Sequence, residues 1–461
     1  MTELKILFLN DINDEKLLAY FISDDEIKDY FKIHNFNGKK YEMLLVPKQY
    51  LKDSKDTLLI STTDINTDFD ACYLGAVART NIYLDCNITY ETSLVDFSQV
   101  DLFTLGILLS GYKFDKYLNK KNESQQITFD KSIISNEQEV TRDAIFFVRD
   151  LVNTPTLDKT PEYFIDEVKK LIQNEDISLE IHNKEWLQNE GFGGVIGVSQ
   201  GSAKEPYLLV GEYNKSAKFK VSIIGKGVLF DTGGYSLKSP SGMETMKTDM
   251  AGAATAWGII KLAASFKLDI GVKVFTPLVE NMVSSTAIRP GDILTMRNKK
   301  TIEVLNTDAE GRLIMADALA YASEENPDLL CDVATLTGAS YVALGLDIGA
   351  VFSNDMSIAN NFVNANLNGV ESYHALPLYK NYKELVKSDI ADLKNTGGRF
   401  GGAITAALIL EEFVNDVPWI HLDMAGPARS RSKNPLAPTG GTGFGVIGFI
   451  NFLKTLSLNY L

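Results

Sequence analysis

The octapeptide Asn306-Thr307-Asp308-Ala309-Glu310-Gly311-Arg312-Leu313 concentrates the groups in this chain best suited to chemistry. In an extended backbone, residues two apart face the same way. Asp308, Glu310 and Arg312 would then present two carboxylates and a guanidinium on one face. Two carboxylates that close repel each other unless a cation neutralises them. A hard divalent metal suits that need, because carboxylate oxygens are its preferred ligands. Gly311 and the apolar run Leu313-Ile314-Met315-Ala316 predict a turn into a helix, with the charges at a site mouth. Taken alone, the same residues also fit a solvated acidic turn.

An upstream cluster favours the metal. Val221 to Ile224 reads as a buried strand, Gly225-Lys226-Gly227 as a break, Val228-Leu229-Phe230-Asp231 as a short strand, and Thr232-Gly233-Gly234 as a turn. Lys226 and Asp231 sit at strand edges, Lys238 follows, and Asp249 opens a small-residue helical run from Ala251 to Ala264. Charges within apolar segments are costly unless paired or bound to metal. One structural ion pair would account for two of these residues. It would not account for Lys226, Asp231, Lys238 and Asp249 together with the Asp308 cluster.

The elements that must position these groups alternate. Ile6 to Leu9, Tyr41 to Val46 and Tyr73 to Val77 read as strands, and Val95 to Tyr112 as a helix, so the first part is expected to be a small α/β domain. Lys120 to Gln126 is polar and breaks periodicity, and a boundary is placed after it: an N-terminal domain over 1–132 and a catalytic domain over 133–461. The second part opens with a helix from Glu137 to Val152, stopped at Asn153-Thr154-Pro155, and a further helix starts at Thr160-Pro161-Glu162. Strand-like runs then recur at Tyr207–Val210, Val221–Ile224, Gly271–Pro277, Leu329–Leu336 and Trp419–Leu422, with helical stretches between. The expected fold is α/β, an α/β/α sandwich around a mixed sheet. Ligands bind at the carboxyl ends of strands in such folds, where the charged clusters fall.

Composition narrows the function. The 461 residues are 45% hydrophobic and 23% charged, as in an ordinary globular protein. A net charge of -15 argues against electrostatic binding to nucleic acid or anionic lipid. The start, Met1 to Lys5, lacks the basic-then-apolar layout of a signal peptide, and no apolar run reaches membrane-spanning length. Cys72, Cys86 and Cys331 are scattered and lack metal spacing, so a reducing cytoplasm is the expected home. His34, His182, His374 and His421 form no His-x-x-x-His pair. Any metal must therefore be held by oxygen and lysine nitrogen.

Together these segments resemble the cytosol (leucyl) aminopeptidase family of dinuclear metallo-exopeptidases. The likeness extends through Arg149 to Pro155, Asp389 to Asn395 and His421 to Pro427, and covers the chain from about Arg149 onward. The resemblance implies that Asp231 and Glu310 bridge two metals. It implies that Asp308 completes the first site, and Lys226, as a neutral amine, with Asp249 the second. Zinc or manganese is expected, with magnesium or cobalt as alternatives. It gives Lys238 the oxyanion role toward the scissile carbonyl. Arg312 would hold a bicarbonate ion acting as general base; simple neutralisation of Asp308 and Glu310 is the other reading. Met246 with Thr335, Leu336 and Gly338 would line an adaptable apolar pocket for leucine- or methionine-like residues. Substrates would be short peptides with a free N-terminus, and the assembly a homohexamer. The chain departs from the family pattern at Ile447, often arginine in relatives, and at Ala251, often glycine; neither is a proposed ligand.

Two other motifs compete. Gly197-Val198-Ser199-Gln200-Gly201 fits the nucleophile elbow of serine hydrolases, after a possible strand at Gly193–Ile196, but Lys204-Glu205-Pro206 leaves no helix of convincing length after Gly201, so Ser199 is read as a loop residue beside the sheet. Asp231-Thr232-Gly233 matches the aspartic-protease tripeptide, but that chemistry needs two carboxylates sharing a proton and the chain has one such motif. A DNA-binding or scaffold role on the same fold is a third class, disfavoured by the acidic balance.

Overall fold

The computed structural model describes residues 2–82, 85–91, 97–119, 126–129 and 133–459. It resolves into two compact α/β units. The first comprises Met1–Arg142, Asn368–Val370 and Lys433–Pro438; the second comprises Asp143–Leu367, Glu371–Ser432 and Thr439–Leu461. The polar run at Lys120–Gln125 and the expected boundary at residue 132 lie outside the described residues.

In the first unit, β1 (Thr2–Leu9), β2 (Met43–Val46), β3 (Asp56–Ser61), β4 (Cys86–Glu91) and β5 (Ile127–Phe129) form a sheet in the order β2-β3-β1-β4-β5. Only β2 runs antiparallel to its neighbour. Alternation along β1 sends Ile6 and Phe8 into one core and Leu7 and Leu9 into another. A strand buried on both faces must read as a continuous apolar run, as β1 does. Tyr73–Val77, expected as a strand, lies instead within the Asp68–Thr80 helix. Thr67 caps that helix by accepting the Asp70 amide at 3.0 Å. Its small face packs tightly: a Cβ on Gly75 would sit 1.9 Å from the Phe103 carbonyl oxygen. The partner helix spans Val100–Leu109, shorter than the expected Val95–Tyr112, of which 95 and 96 are not described.

The second unit is built on β6 (Ile177–His182), β7 (Tyr207–Tyr213), β8 (Lys220–Gly225), β9 (Gly227–Asp231), β10 (Gly271–Asn281), β13 (Leu329–Ala334), β14 (Ile348–Ser353), β15 (Ser372–Ala375) and β17 (Trp419–Asp423). Their order is β15-β14-β17-β13-β8-β10-β7-β6, with β9 pairing β10 beyond the end of β8. A smaller sheet holds β11 (Asp292–Thr295), β12 (Thr301–Val304) and β16 (Leu393–Lys394). The central strands β17, β13, β8 and β10 are parallel, flanked by antiparallel β14 and β7. From β8 the chain passes to β10 on one side, and later to β13 on the other. The carboxyl ends of β8 and β13 therefore flank a topological switch point, where doubly wound sheets open a crevice.

Helices cover both faces. On one, Tyr321 of the Gly311–Ser323 helix meets Phe275 edge-on at 5.7 Å. Val274, next along β10, points the other way, where Trp257 of the Ala251–Ser265 helix packs beside Gly211. That second helix is rich in Ala and Gly because it lies almost on the sheet: a Cβ on Gly252 would fall 2.1 Å from the Val333 carbonyl oxygen.

Gly193–Ile196, a possible strand by sequence, is the first half of a helix, Gly193–Ser199. The reason is a carboxylate. Asp317, fully buried, accepts the amides of Gly194 at 2.7 Å and Val195 at 3.0 Å, capping that helix from the Gly311–Ser323 helix. Ser199 is neither a loop residue nor an elbow: it is buried and its hydroxyl donates to Ile196 O at 3.0 Å. Asp317 also accepts the Arg297 amide at 2.9 Å. Asp317→Ala is expected to lower the unfolding free energy by about 3 kcal/mol, because two buried amides and the half-buried Arg297 amide lose their acceptor while relief of carboxylate burial offsets part of that cost. An unchanged urea midpoint would show that water replaces the carboxylate.

Candidate metal centre

The turn into the Gly311–Ser323 helix does not leave Asp308, Glu310 and Arg312 on an extended backbone. Thr307 and Asp308 are in a turn, Glu310 has helical angles, φ -75 and ψ -34, and Arg312 is already inside the helix. The helix turns them inward by its own geometry. Asn395 holds the turn: its Oδ1 accepts the amides of Leu305 at 2.9 Å and Asn306 at 3.2 Å, and its Nδ2 donates to Asn306 O at 2.6 Å. Gly311 must lack a side chain, since a Cβ there would lie 2.5 Å from Lys226 Cε.

Lys226 occupies the single residue between β8 and β9. Its amide donates to Val333 O at 3.1 Å and its carbonyl accepts from Ala253 N at 2.8 Å, so both neighbouring elements fix it. Its ammonium lies 2.7 Å from Asp249 Oδ1, 3.0 Å from Glu310 Oε1 and 3.0 Å from Thr335 O. Asp231 ends β9, where Asn281 Nδ2 and the Gly233 amide each donate to its Oδ1 at 2.8 Å. Gly233 and Gly234, at φ +84 and +62, turn the chain back so that Lys238 reaches Asp231 Oδ2 at 2.7 Å and also meets Asp308 Oδ1.

Asp231, Asp308 and Glu310 bring carboxylate oxygens within 4.8 Å of one another. Crowding shifts the acids. Burial, then Glu310, pushes Asp231 up to about 7, against the pull of Lys238 and Lys226. Burial raises Asp249 well above the usual range and also raises Asp308. Glu310 is held low, since Lys226 and Lys238 outweigh its burial. Burial opposes charge on Lys226, but Asp249, Glu310 and Asp231 together raise its pKa above the ordinary value. Burial brings Arg312 down to about 10 despite Glu310, Asp423 and Asp308.

Fit to cations can be judged from unmet oxygens. Asp249 Oδ2 and Glu310 Oε2 are buried and receive no hydrogen bond among the described residues. Native proteins seldom strand carboxylate oxygens this way. A set of four carboxylates and one lysine amine, with two such oxygens, suits hard divalent ions. Arg312 shows the complementary feature: Nη1 donates to Asn395 O at 2.7 Å, while its buried Nε has no acceptor. That donor is available to an anion.

One cavity of about 250 Å³ gathers these groups. It is lined by Lys226, Asp231, Lys238, Asp249, Asp308, Glu310 and Arg312, and by Met246, Thr335, Leu336 and Gly338. All eleven candidate site residues implied by the resemblance line it. Several that sequence reading did not single out matter too. Asp423 accepts from Leu336 N at 3.3 Å and Thr337 Oγ1 at 2.6 Å, anchoring the loop after β13. Asn281 and Asn395 orient Asp231 and the Asp308 turn. Asn281 carried a faint signal, an amide ending an apolar strand; Asn395 and Asp423 lie within quoted family segments; Arg429, also lining the cavity, had none.

The cytosol aminopeptidase family, catalytic domain, matches residues 146–450. A probable cytosol aminopeptidase of Syntrophotalea carbinolica is 42% identical over 371 residues, covering 77% of this chain and 75% of the relative. The crystal structure of a cytosol aminopeptidase from Coxiella burnetii superposes with a TM-score of 0.88 at 30% identity, over 98% of this chain and 97% of that one. The bottromycin maturation enzyme BotP, in complex with Mn, gives 0.89 at 28% identity, over 99% of this chain and 100% of that one. No helix among the described residues is long and apolar enough to cross a membrane. With a matching family description over most of its length and a relative this similar, the chain belongs to the cytosol aminopeptidase family and is a peptide-bond hydrolase of that family.

Proposed function

We propose that this enzyme releases leucine-like, apolar N-terminal residues from short peptides in the cytoplasm, with two divalent cations held by Lys226, Asp231, Asp249, Asp308 and Glu310. The observation that carries the proposal is the pair of unmet buried oxygens, Asp249 Oδ2 and Glu310 Oε2, among convergent carboxylates. Zinc or manganese is the expected occupant, with magnesium or cobalt as alternatives; BotP's manganese supports the choice of a hard ion. When bound, the ions supply Lewis acidity and a water made acidic enough to ionise near neutral pH.

The chain's own groups do the rest. A substrate's free α-amino group would bind as a neutral amine at the second cation position, beside Lys226 and Asp249, so a chain end would be presented rather than an interior bond. Lys238 donates to the scissile carbonyl oxygen as negative charge develops on it. Arg312, whose buried Nε has no acceptor among the described residues, would hold a bicarbonate ion, and that ion would supply a general base. Met246, Leu336, Thr335 and Gly338 form an apolar, adaptable seat for the departing side chain. The division at 132/133 and a homohexameric assembly belong to the same proposal.

Leucine-anilide hydrolysis by chelated enzyme, followed by stepwise addition of each metal, tests this reading. Chelation should remove turnover, and zinc or manganese should restore it in two saturable steps. Turnover that survives chelation but stops with a serine-directed or pepstatin-type reagent would overturn it.

A further inference from the structure

The cavity lining is balanced in formal charge: Asp231, Asp249, Asp308 and Glu310 against Lys226, Lys238, Arg312 and Arg429. Three of the four cations are spent on partners already described. Arg429 is different. It begins β18 (Arg429–Ser430), which pairs with β19 (Gly440–Gly441), so its backbone is fixed while its side chain is half-buried at the cavity wall. Among the described residues its guanidinium has no hydrogen bond or ion pair. Its charge is felt by Lys247, whose pKa is lowered first by burial and then by Arg429. Lys247 is itself engaged, donating to Asn153 O at 2.5 Å. Arg431, two residues on, is exposed and stacks over the Tyr341 ring at 5.8 Å.

An arginine held half-buried beside another cation, with no acceptor, is unfavourable unless something anionic arrives. A guanidinium fork fits a carboxylate in bidentate fashion, which a lysine cannot copy. The chain as a whole is strongly acidic, so a cation at this position runs against its surface balance.

We propose that Arg429 is a specificity-determining residue that pairs with a carboxylate of the bound substrate. The proposal rests on the aminopeptidase reading above and adds a preference for peptides bearing a carboxylate within reach of the scissile bond. That carboxylate comes either from the C-terminus of a dipeptide or from an acidic side chain following the bond cleaved.

Two substrate pairs separate the sources: Leu-Gly against Leu-Gly-amide, and Leu-Asp-amide against Leu-Asn-amide, with metal-replete enzyme. In at least one pair, kcat/KM should favour the carboxylate by about tenfold to a hundredfold, the range of a charge-assisted hydrogen bond, chiefly through KM. Arg429→Ala should bring that ratio close to one. Arg429→Lys should retain part of it, and Arg431→Ala should leave it intact. The first pair responding assigns the dipeptide terminus; the second assigns the side chain. Equal kcat/KM within both pairs for the wild type, or an unchanged ratio in a folded Arg429→Ala protein, would overturn the assignment and leave the aminopeptidase reading standing. A wild type that cleaves none of the four would overturn both.

Discussion

Glu310→Ala is expected to abolish peptide hydrolysis while leaving the chain folded. Glu310 is almost fully buried, contacts Lys226 at 3.0 Å and offers its second oxygen unmet to the cavity. In the proposed site it would help to hold the cations, so its loss would remove a ligand. Asp231→Ala should behave alike. The fold should survive because Lys226 keeps Asp249 at 2.7 Å and the acids gain room. Burial and Glu310 push Asp231 up to about 7, against about 3.9 for an unperturbed aspartate. A carboxyl whose folded pKa is raised favours the native state most below its unfolded value, and that contribution is lost as pH rises through the folded one. Chelated wild type should therefore lose stability between about pH 4 and pH 7. Glu310→Ala should flatten that loss, and its metal-free Tm at pH 8 should equal or exceed that of the wild type. Adding manganese should raise the wild-type Tm far more than the variant's. Wild-type turnover by Glu310→Ala would refute the ligand assignment, whatever its Tm.

Lys238→Ala is expected to lower kcat by about 10²–10³, or ~2.7–4 kcal/mol, the loss seen when an oxyanion donor is removed. Lys238 bridges Asp231 and Asp308, and burial of its ammonium is outweighed by Asp231 first, then Glu310, Asp249 and Asp308, which raise its pKa. In the metal-free chain it is therefore protonated and can donate. A donor acting only as charge builds should change kcat with little change in KM. Elemental analysis separates this from a role in holding cations: the variant should keep its metal. Full rate in Lys238→Ala would remove the oxyanion role.

The sequence was most legible where one residue type admits one environment. Lys226 and Asp231 inside apolar strands had to be paired or bound, and both are buried in the cavity. The parallel strands β8 and β13 announced themselves as largely apolar runs, each interrupted by one polar residue, Ser222 and Asp332, since both of their faces are covered. Legibility failed where a remote group decides local structure. Gly193–Ile196 has strand-like composition, but Asp317, far along the chain, supplies the carboxylate that caps it as a helix. Tyr73–Val77 became helical because Gly75 admits the Val100–Leu109 helix at a distance no side chain would allow. The Asp308-Glu310-Arg312 spacing suggested convergence by the wrong geometry: an extended strand was expected, and a turn entering a helix delivers the same groups. Arg429 carried no signal, because an arginine beside a strand of two residues looks like surface.

Lys226 ties the reaction centre to the middle of the sheet through its own peptide bonds, one to β13 and one to the Ala251–Ser265 helix. Local opening there costs whatever holds its side chain. Cation loading should thus slow deuterium uptake at the Lys226 and Ala253 amides far more than at β6 or β15 on the sheet margins. The catalytic pocket would then double as the rivet of its own scaffold, making metal supply a determinant of how long the folded enzyme lasts.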